Sequence, residues 1–534
     1  MKLTLEGLKD RAAWKDAGID LPAYDLEAVR AASVASPRWA HFGIGNIFRI
    51  FIGGIAERLI AAGEEDLAIS CIEAFDFDVV DKIYRPYDNL VLGVTLYEDG
   101  KQDKQVLGSL AQAIKTQASD AEEWVRLKEL FRAPSLQMVS FTITEKGYAL
   151  RGTDGSYLPF VAADLEAGPA APTGAMAIVA AMLIERYKAG AAPIALVSMD
   201  NCSHNGETLR NAVLEVCDGW AERGYVDEGF LSYVRDEARV AFPWTMIDKI
   251  TPRPAPFVAE QLAEAGVEGM DIVVTSKQTY IAPFVNAEGP QYLVVEDSFP
   301  NGRPPLEDAG VLMCDRETVD KSEKMKVTVC LNPIHTALCT YDCLLGYELF
   351  ADGMGDPQLR ALAELVGAEG MAVVPDPGIL SPKDFLAECL DVRFPNPYLD
   401  DTSLRIATDI SQMTGIRFGI TVASHMERGD AGDLLGIPLA IAGWLRYLLA
   451  VDDEGEPMEL APEPLLDELQ GQLAGIVLDK PESVGDKLRP ILSNPRLFHV
   501  DLYEAGLGEK VEALLAEELT GPGAVRATLV KHLG

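Results

Sequence analysis

The segment "HFGIGNIFRIF", residues 41–51, decides which fold the chain adopts. Gly43 and Gly45 stand one residue apart, after a short apolar run of strand length and before apolar residues that recur at helical spacing from Ile47. A strand, a tight glycine turn and a helix in this order can hold a pyrophosphate against the N–H groups of the helix. Phe48 stands where the third glycine of GxGxxG belongs, so the turn alone does not exclude an ordinary glycine loop.

The pattern outside this turn predicts an α/β protein with a helical second domain. Up to about residue 300, apolar runs such as "LAISCI" and "PIALVSM" alternate with amphipathic helical segments, which favours a parallel sheet covered by helices. The turn "YEDGK" predicts one antiparallel hairpin within this part. After about residue 315 most periodic segments are helical. We therefore predict a dinucleotide-binding domain over residues 1–310 and a mainly α-helical, substrate-binding domain over residues 311–534.

The charge of the chain excludes two classes of partner. Against 46 Lys and Arg stand 83 Asp and Glu, a net charge of -37 that is spread along the sequence. Such a field repels nucleic acid and anionic membranes, and it favours solubility. No apolar run reaches the roughly 18 residues that span a bilayer, and the first residues lack a signal-peptide pattern. We expect a cytoplasmic protein, a monomer or small homo-oligomer, that acts on a small molecule.

Cysteine and histidine spacing gives little support to a metal site. The eight cysteines form no CxxC pair, and the six histidines form neither HxH nor HExxH. Cys339 and Cys343 lie four apart in a segment predicted to be helical, where core packing is the simpler interpretation. We therefore predict reduced thiols and chemistry without a metal.

Several side chains beside the turn are candidate cofactor contacts. Gly43, Gly45 and Asn46 form the turn and its helix start. Arg49 lies in the first helical turns, where a cation is unfavourable beside the positive helix end unless an anion is near. The alternative for Arg49 is an exposed surface arginine.

Three acids follow the second apolar strand and bear on the choice of cofactor. They are Glu73, Asp76 and Asp78, in "EAFDFD". An acid in this place accepts hydrogen bonds from the adenosine ribose and repels a 2′-phosphate. The pattern therefore favours NAD over NADP.

Three further segments carry groups suited to chemistry. In "SMDNCSHNG", Asn201 follows a buried strand, where open α/β sheets bind ligands, although it could instead cap the next helix. Asp248 lies in a proline-rich segment predicted to be a rigid loop. In "KMKVTVCLNPIH", Asn332 and His335 are three apart on one helix face within apolar surroundings. A lysine desolvated there suits a general base, whereas a capping Asn and a core His are the alternatives.

Taken in order, six segments resemble the signatures of the long-chain polyol dehydrogenases, a family that includes mannitol 2-dehydrogenase and the fructuronate and tagaturonate reductases. The resemblance is strong over roughly residues 36–350 and looser beyond. The segments are "HFGIGNIFR", "VSFTITEKGY", "SMDNCSHNG", "FPWTMIDKITP", "VEDSFPNGRPPLEDAGV" and "EKMKVTVCLNPIH".

The resemblance implies a Rossmann-type first domain, a helical second domain and metal-independent hydride transfer between a nicotinamide and a secondary alcohol. It assigns the general base to Lys326. Asn201 and Asn332 polarise the reacting oxygen, and His335 hydrogen-bonds the substrate.

The same resemblance places three further residues at the substrate. Glu145 and Asp248 fall at polar positions of the family's site. Arg393, in "VRFPNP", is similar to an arginine that contacts substrate. A sugar-acid carboxylate requires a cation, and Arg393 is one candidate.

One departure from the family's pattern affects the assignment of Lys326 as general base. The family spaces its lysine and asparagine as K-x4-N, whereas five residues separate Lys326 from Asn332 here. On a continuous helix the added residue rotates the lysine by about 100°. Either the segment contains a bulge or a non-helical start, or the base is a different residue; Lys324 lies farther still.

The resulting hypothesis is an NAD-dependent oxidoreductase that interconverts D-mannonate and D-fructuronate, with NADP as the alternative cofactor. D-Mannitol and D-fructose are the alternative substrate pair. A nucleotide-binding regulatory protein without turnover is the rival from another class, because of the altered lysine spacing.

Overall fold

A computed structural model describes residues 1–152 and 154–534, and the chain divides into two compact units. The first unit comprises Met1–Leu96 and Lys101–Asp320, and the second comprises Tyr97–Gly100 and Lys321–Gly534. Within the described residues, no helix has both the length and the apolar character needed to cross a membrane.

The strands of the described residues all belong to the first unit. They are β1 (Trp39–Phe42), β2 (Ile69–Glu73), β3 (Val91–Leu96), β4 (Gln102–Leu107), β5 (Leu110–Lys115), β6 (Met138–Phe141), β7 (Ile194–Ser198), β8 (Val240–Ala241), β9 (Thr245–Asp248), β10 (Val273–Val274), β11 (Tyr280–Ile281), β12 (Phe284–Glu288), β13 (Tyr292–Glu296) and β14 (Leu312–Cys314).

Six of these strands form a parallel sheet in the order β5-β2-β1-β6-β7-β8. Counted along the chain within this sheet, the order is 3-2-1-4-5-6, the Rossmann arrangement. Consecutive residues of β2 enter different hydrophobic clusters, Cys71 on one face and Ile72 on the other, so both faces are buried. The predicted parallel sheet is confirmed. Its order reverses between β1 and β6, where such sheets bind ligands at the carboxyl ends of the strands.

Outside the main sheet, one sequence prediction is confirmed and one is wrong. Strands β3 and β4 pair antiparallel around the predicted hairpin. Asp248 does not lie in a loop, because it is the last residue of β9, which pairs antiparallel with β13. The prolines that suggested a loop flank the strand at Pro243 and Pro252 and do not interrupt its hydrogen bonds.

The α-helices cover the first unit and build the second, as predicted. They are α1 (Arg11–Asp16), α2 (Leu26–Ala35), α3 (Gly53–Ala61), α4 (Phe77–Val79), α5 (Ala121–Arg132), α6 (Thr144–Tyr148), α7 (Pro159–Ala167), α8 (Ala175–Lys188), α9 (Asn205–Glu222), α10 (Glu228–Arg235), α11 (Pro256–Glu264), α12 (Arg316–Met325), α13 (Asn332–Leu345), α14 (Phe350–Met354), α15 (Pro357–Met371), α16 (Pro382–Glu388), α17 (Ser403–Ile406), α18 (Ile410–Thr414), α19 (Ile420–Arg428), α20 (Gly436–Tyr447), α21 (Leu466–Gln472), α22 (Arg489–Leu492), α23 (Pro495–Phe498), α24 (Gly508–Glu518) and α25 (Ala524–Leu533).

Single π-helical turns interrupt or extend several helices. A π turn closes its hydrogen bonds five residues apart and so takes one more residue than an α-helical turn; such turns are frequent at functional sites. Arg49, Lys326 and Arg393 each lie in one. The π turns of the described residues are Phe48–Ile52, Val80–Tyr84, Lys326–Cys330, Cys389–Arg393 and Gly415–Gly419.

Candidate functional site

The turn that follows β1 contains two glycines, and glycine is favoured at each position for a different physical reason. Gly43 has φ of 86°, and a Cβ atom there would lie 2.1 Å from the Thr142 carbonyl oxygen, so the fold itself requires glycine. A Cβ atom on Gly45 would meet no described atom within 4 Å. Packing does not demand glycine at this second position, and open space beside the turn is what close approach of a pyrophosphate needs.

A buried histidine fastens the turn to the sheet. His41 Nδ1 lies 2.6 Å from Ser140 Oγ and His41 Nε2 lies 2.8 Å from Thr142 Oγ1, whose hydroxyl donates to the Gly43 carbonyl at 2.8 Å. Burial lowers the pKa of His41 to about 3, so the ring is neutral near pH 7. Phe48 stacks on this ring with 4.1 Å between centroids. Phe48 therefore packs onto the sheet at the helix start, where the dinucleotide motif uses its third glycine.

Arg49 is fully buried, so the alternative of an exposed arginine is wrong. None of its three guanidinium nitrogens has a hydrogen-bond partner among the described residues, and the group lies 6.0 Å from the centre of the Tyr84 ring. Burial lowers the pKa of Arg49 to about 10. Asn46 Oδ1 is likewise buried without a described partner. Buried polar groups without partners are costly, and both lie at the start of the helix that follows the glycine turn, where a ligand is expected.

The three acids after β2 are not equivalent. The Glu73 carboxylate accepts the backbone N–H groups of residues 75 and 76, at 2.8 and 3.0 Å, and so shapes the turn. Asp78 accepts the Ser276 N–H at 3.0 Å. Asp76 accepts the Thr275 hydroxyl at 2.6 Å through one oxygen, while its Oδ1 is buried without a described partner. Asp76 is therefore the acid with an unused acceptor.

Asp200 organises the carboxyl ends of β6 and β7. It accepts the backbone N–H groups of residues 143 and 144, both at 2.8 Å, and the Tyr148 hydroxyl at 2.6 Å. These bonds hold the neighbouring Glu145 and Asn201, whose side chains are exposed. Because α9 begins at Asn205, Asn201 is not its cap. The sequence showed a polar residue at the end of the strand, but nothing in it paired Asp200 with Tyr148.

Asn205 joins this region to the strand that carries Asp248. Its amide nitrogen donates to the Asp200 and Thr245 carbonyls, both at 3.0 Å, and its amide oxygen accepts the Thr245 N–H at 3.0 Å. Asp248, the last residue of β9, is buried. One buried side chain thus sets the position of β9 relative to β7.

In the second unit, Lys326 is buried and begins a π turn. The Leu331 N–H donates to the Lys326 carbonyl at 3.1 Å, and α13 begins at the next residue, Asn332. The bulge that the five-residue spacing required is therefore present. A π turn absorbs the additional residue, so the spacing no longer argues against Lys326.

His335 lies on the same face of α13 as Asn332 and is partly exposed. Its ring centroid lies 4.7 Å from that of Phe350 and 4.6 Å from that of Phe394. Arg393, buried at the end of its π turn, directly precedes Phe394. Aromatic contacts thus hold the segment that carries Arg393 against the first turn of α13.

Across the described residues, no group of three or more His, Cys, Asp or Glu side chains is arranged to hold a metal ion. The eight cysteines are free thiols. Both Cys339 and Cys343 lie in α13, but only Cys339 is buried in the core as predicted, since Cys343 is partly exposed.

The strand order, the glycine turn at its point of reversal and the acids after the second strand define a Rossmann-type dinucleotide-binding protein with a helical second unit. The chain matches the family descriptions "Mannitol dehydrogenase Rossmann domain" over residues 37–308 and "Mannitol dehydrogenase C-terminal domain" over residues 318–514. It therefore belongs to the mannitol dehydrogenase family, and the resemblance seen in the sequence is confirmed.

Several relatives cover nearly the whole chain. It is 52% identical to the D-mannonate oxidoreductase of Thermotoga maritima, over 100% of this chain and 99% of that protein. It is 30% identical to the polyol:NADP oxidoreductase of Gluconobacter oxydans, over 88% and 90% of the two chains. The Pseudomonas fluorescens mannitol 2-dehydrogenase, solved as a ternary complex with NAD and D-mannitol, has a TM-score of 0.71 and 25% identity, over 99% of each chain.

Proposed function

We propose that this protein is an NAD-dependent oxidoreductase that interconverts D-mannonate and D-fructuronate. The choice of substrate rests on the 52% identity, across the whole chain, with a protein named D-mannonate oxidoreductase. The open space beside Gly45, at the reversal point of the parallel sheet, supports dinucleotide binding.

The residues present suit a dinucleotide. Gly43 and Gly45 give the pyrophosphate backbone access, while Asn46 and Arg49 offer polar atoms that lack other described partners. Asp76 offers an unused acceptor to a ribose hydroxyl, with Glu73 and Asp78 shaping the loop around it. A carboxylate there also disfavours a 2′-phosphate, which supports NAD over NADP.

The reaction requires removal of a proton from the substrate hydroxyl. We assign the role of general base, which accepts this proton, to Lys326, a buried residue at the start of the π turn that precedes α13. Asn332 and His335, on one face of α13, hold the reacting oxygen, and Asn201 is the second amide assigned to it. When bound, the nicotinamide takes or returns the hydride. Glu145, Asp248 and Arg393 are assigned to the remainder of the substrate.

We assign residues 1–310 to a dinucleotide-binding domain and residues 311–534 to a mainly α-helical, substrate-binding domain. We also propose a cytoplasmic protein that is a monomer or small homo-oligomer. Its net charge of -37 argues against nucleic-acid and anionic-membrane partners.

Two alternatives remain distinguishable by experiment. A mannitol 2-dehydrogenase is the nearer one, since relatives of that name share about 30% identity, as at 31% for the Cereibacter sphaeroides protein. The alternative of a regulatory protein without turnover was based on the altered spacing of Lys326 and Asn332. The π turn Lys326–Cys330 accommodates that spacing.

The decisive measurement is a steady-state assay that follows NADH and NADPH across ketouronates, ketoses, aldonates and polyols. We expect the highest kcat/KM for D-fructuronate reduction with NADH. A higher value for D-fructose would identify the mannitol 2-dehydrogenase instead. Tight NADH binding with no turnover on any substrate would favour the regulatory protein.

A further inference from the structure

A second cation lies against the helix face that carries Asn332 and His335. Arg417 is in the middle of the π turn Gly415–Gly419, and its Nη1 donates to the Thr336 hydroxyl. Thr336 in turn donates to the Asn332 carbonyl at 3.0 Å. The guanidinium is therefore attached, through one threonine, to the first turn of α13.

The position of Arg417 follows from helix geometry. Asn332, His335, Thr336 and Cys339 occupy positions i, i+3, i+4 and i+7 of α13, which lie on one face. The Cys339 thiol is close enough to Arg417 to influence the pKa of the guanidinium. Arg417 thus packs along the face that presents Asn332 and His335.

The charge of Arg417 is not matched within the described residues. Burial lowers the pKa of Arg417, and no carboxylate opposes this shift. Its Nε is buried without a hydrogen-bond partner, and no described group accepts from Nη2. Arg446 is fully buried and its Nε also lacks a described partner, but its Nη1 and Nη2 donate to the Val451 and Asp452 carbonyls. The partly buried Arg360 pairs with Asp391.

The unused part of this guanidinium has a specific shape. Nη1 is bonded to Thr336, which leaves the edge formed by Nε and Nη2. Two N–H groups along one edge match the two oxygens of a carboxylate and bind it through parallel hydrogen bonds. A neutral hydroxyl cannot replace this pair of charged bonds.

Neighbouring contacts hold the π turn in place. The Thr414 hydroxyl donates to the Leu497 carbonyl at 2.7 Å, and the Thr421 hydroxyl donates to the Thr328 carbonyl at 3.1 Å. Gly419 lies so close to the Phe498 carbonyl that a Cβ atom would be 1.7 Å from the oxygen. A cation held in this way is preorganised for a ligand.

We propose that Arg417 binds the carboxylate of a sugar-acid substrate and so makes the site selective for aldonates and ketouronates over neutral polyols. This inference rests on the proposed function. It differs from the sequence-based assignment of the carboxylate to Arg393, whose Nη1 lies 3.9 Å from Cys389 Sγ and which has further interactions of its own.

The test compares an acid with its neutral counterpart. KM and kcat are measured for D-mannonate in the wild type, Arg417→Ala, Arg417→Lys and Arg393→Ala. D-Mannitol, which lacks the carboxylate, is measured by turnover or by its inhibition constant against D-mannonate. Loss of a desolvated charge pair predicts that Arg417→Ala raises KM for D-mannonate at least about thirtyfold, with less change in kcat and none in the D-mannitol constant. Arg417→Lys retains the charge without the fork and is expected to be intermediate.

Thermal unfolding of each variant separates selectivity from folding. Equal losses for the acid and the neutral compound would mean that Arg417 is structural, and would overturn the inference. A selective loss in Arg393→Ala alone would assign the carboxylate to that residue and would also overturn it. If the wild type shows no preference for the acid, the proposed function fails; if it does and Arg417→Ala keeps the preference, only the inference on Arg417 fails.

Discussion

The two units present their candidate groups on different kinds of backbone. In the first unit, Gly43, Asp76 and Asn201 follow the ends of parallel strands, where a short local pattern already identifies them. In the second unit, Lys326 and Arg393 lie in π turns, which have no such pattern. The comparison shows that strand ends bring groups together by topology, whereas a π turn redirects a side chain by adding one residue to a helix.

The largest expected effect concerns Lys326, in the π turn Lys326–Cys330 of the second unit. Lys326→Ala should lower kcat by about 100- to 10,000-fold, the range that a general base contributes, while the Kd of NADH stays unchanged. Lys324→Ala, at an exposed position two residues earlier, is the matched control and should retain activity. Near-wild-type turnover in Lys326→Ala would mean that the base is another residue.

The next test asks whether the first unit also uses a residue of a π turn, Arg49, to bind its ligand. Arg49→Ala removes a buried cation without described partners, and it should raise the Kd of NADH roughly 10- to 100-fold if that cation meets the pyrophosphate. Arg58→Ala, nine residues further along the chain and bonded to the Ala309 carbonyl at 3.0 Å, serves as the control. Fluorescence titration of NADH gives both constants, and an unmoved Kd in Arg49→Ala would remove Arg49 from the cofactor site.

Two glycine substitutions after β1 distinguish a glycine that the fold requires from one that cofactor binding requires. Gly43→Ala should lower the free energy of unfolding by more than about 1 kcal/mol, because φ is 86° and the methyl group meets the Thr142 carbonyl. Gly45→Ala should leave stability unchanged and weaken NADH binding roughly tenfold. Thermal unfolding and NADH titration of both variants decide the matter. Equal stability of the two would contradict the explanation given for Gly43.

The smallest effect concerns a buried acid of the second unit. Glu518 accepts the Tyr341 hydroxyl at 2.6 Å, and burial raises its pKa from 4.5 to about 8. Between these values the folded protein holds a proton that the unfolded chain has lost, so its unfolding free energy falls as the pH rises from about 4.5 to 8. The Tm of Glu518→Gln relative to that of the wild type should therefore be a few degrees higher at pH 8 than at pH 5. Glu517→Gln, whose carboxylate pairs with Lys531, should show no such gain, and identical pH profiles for wild type and Glu518→Gln would refute the assignment.

Sequence patterns predicted the architecture because its signals are local. The run before Gly43 has the length and apolarity of β1, the turn before β4 is that of a hairpin, and helical periodicity dominates after residue 315. Asp248 was assigned to the wrong element because prolines beside a strand resemble prolines in a loop. Its strand is defined by pairing with β13 and by Asn205, both contacts between residues distant in sequence.

The residue types of the chain are sufficient to predict a Rossmann-type domain, a helical domain and the polar groups that carry candidate chemistry. They do not reveal which of these groups lack partners, since burial of Arg49, the open acceptor of Asp76 and the unmatched charge of Arg417 arise from packing between distant segments. The spacing of Lys326 and Asn332 indicated a bulge at one π turn. The other π turns were not indicated by the sequence, because they depend on whether tertiary contacts compensate for the strained hydrogen bonds. Periodicity is set by neighbours a few residues away, whereas solvation and charge balance are set by the whole fold.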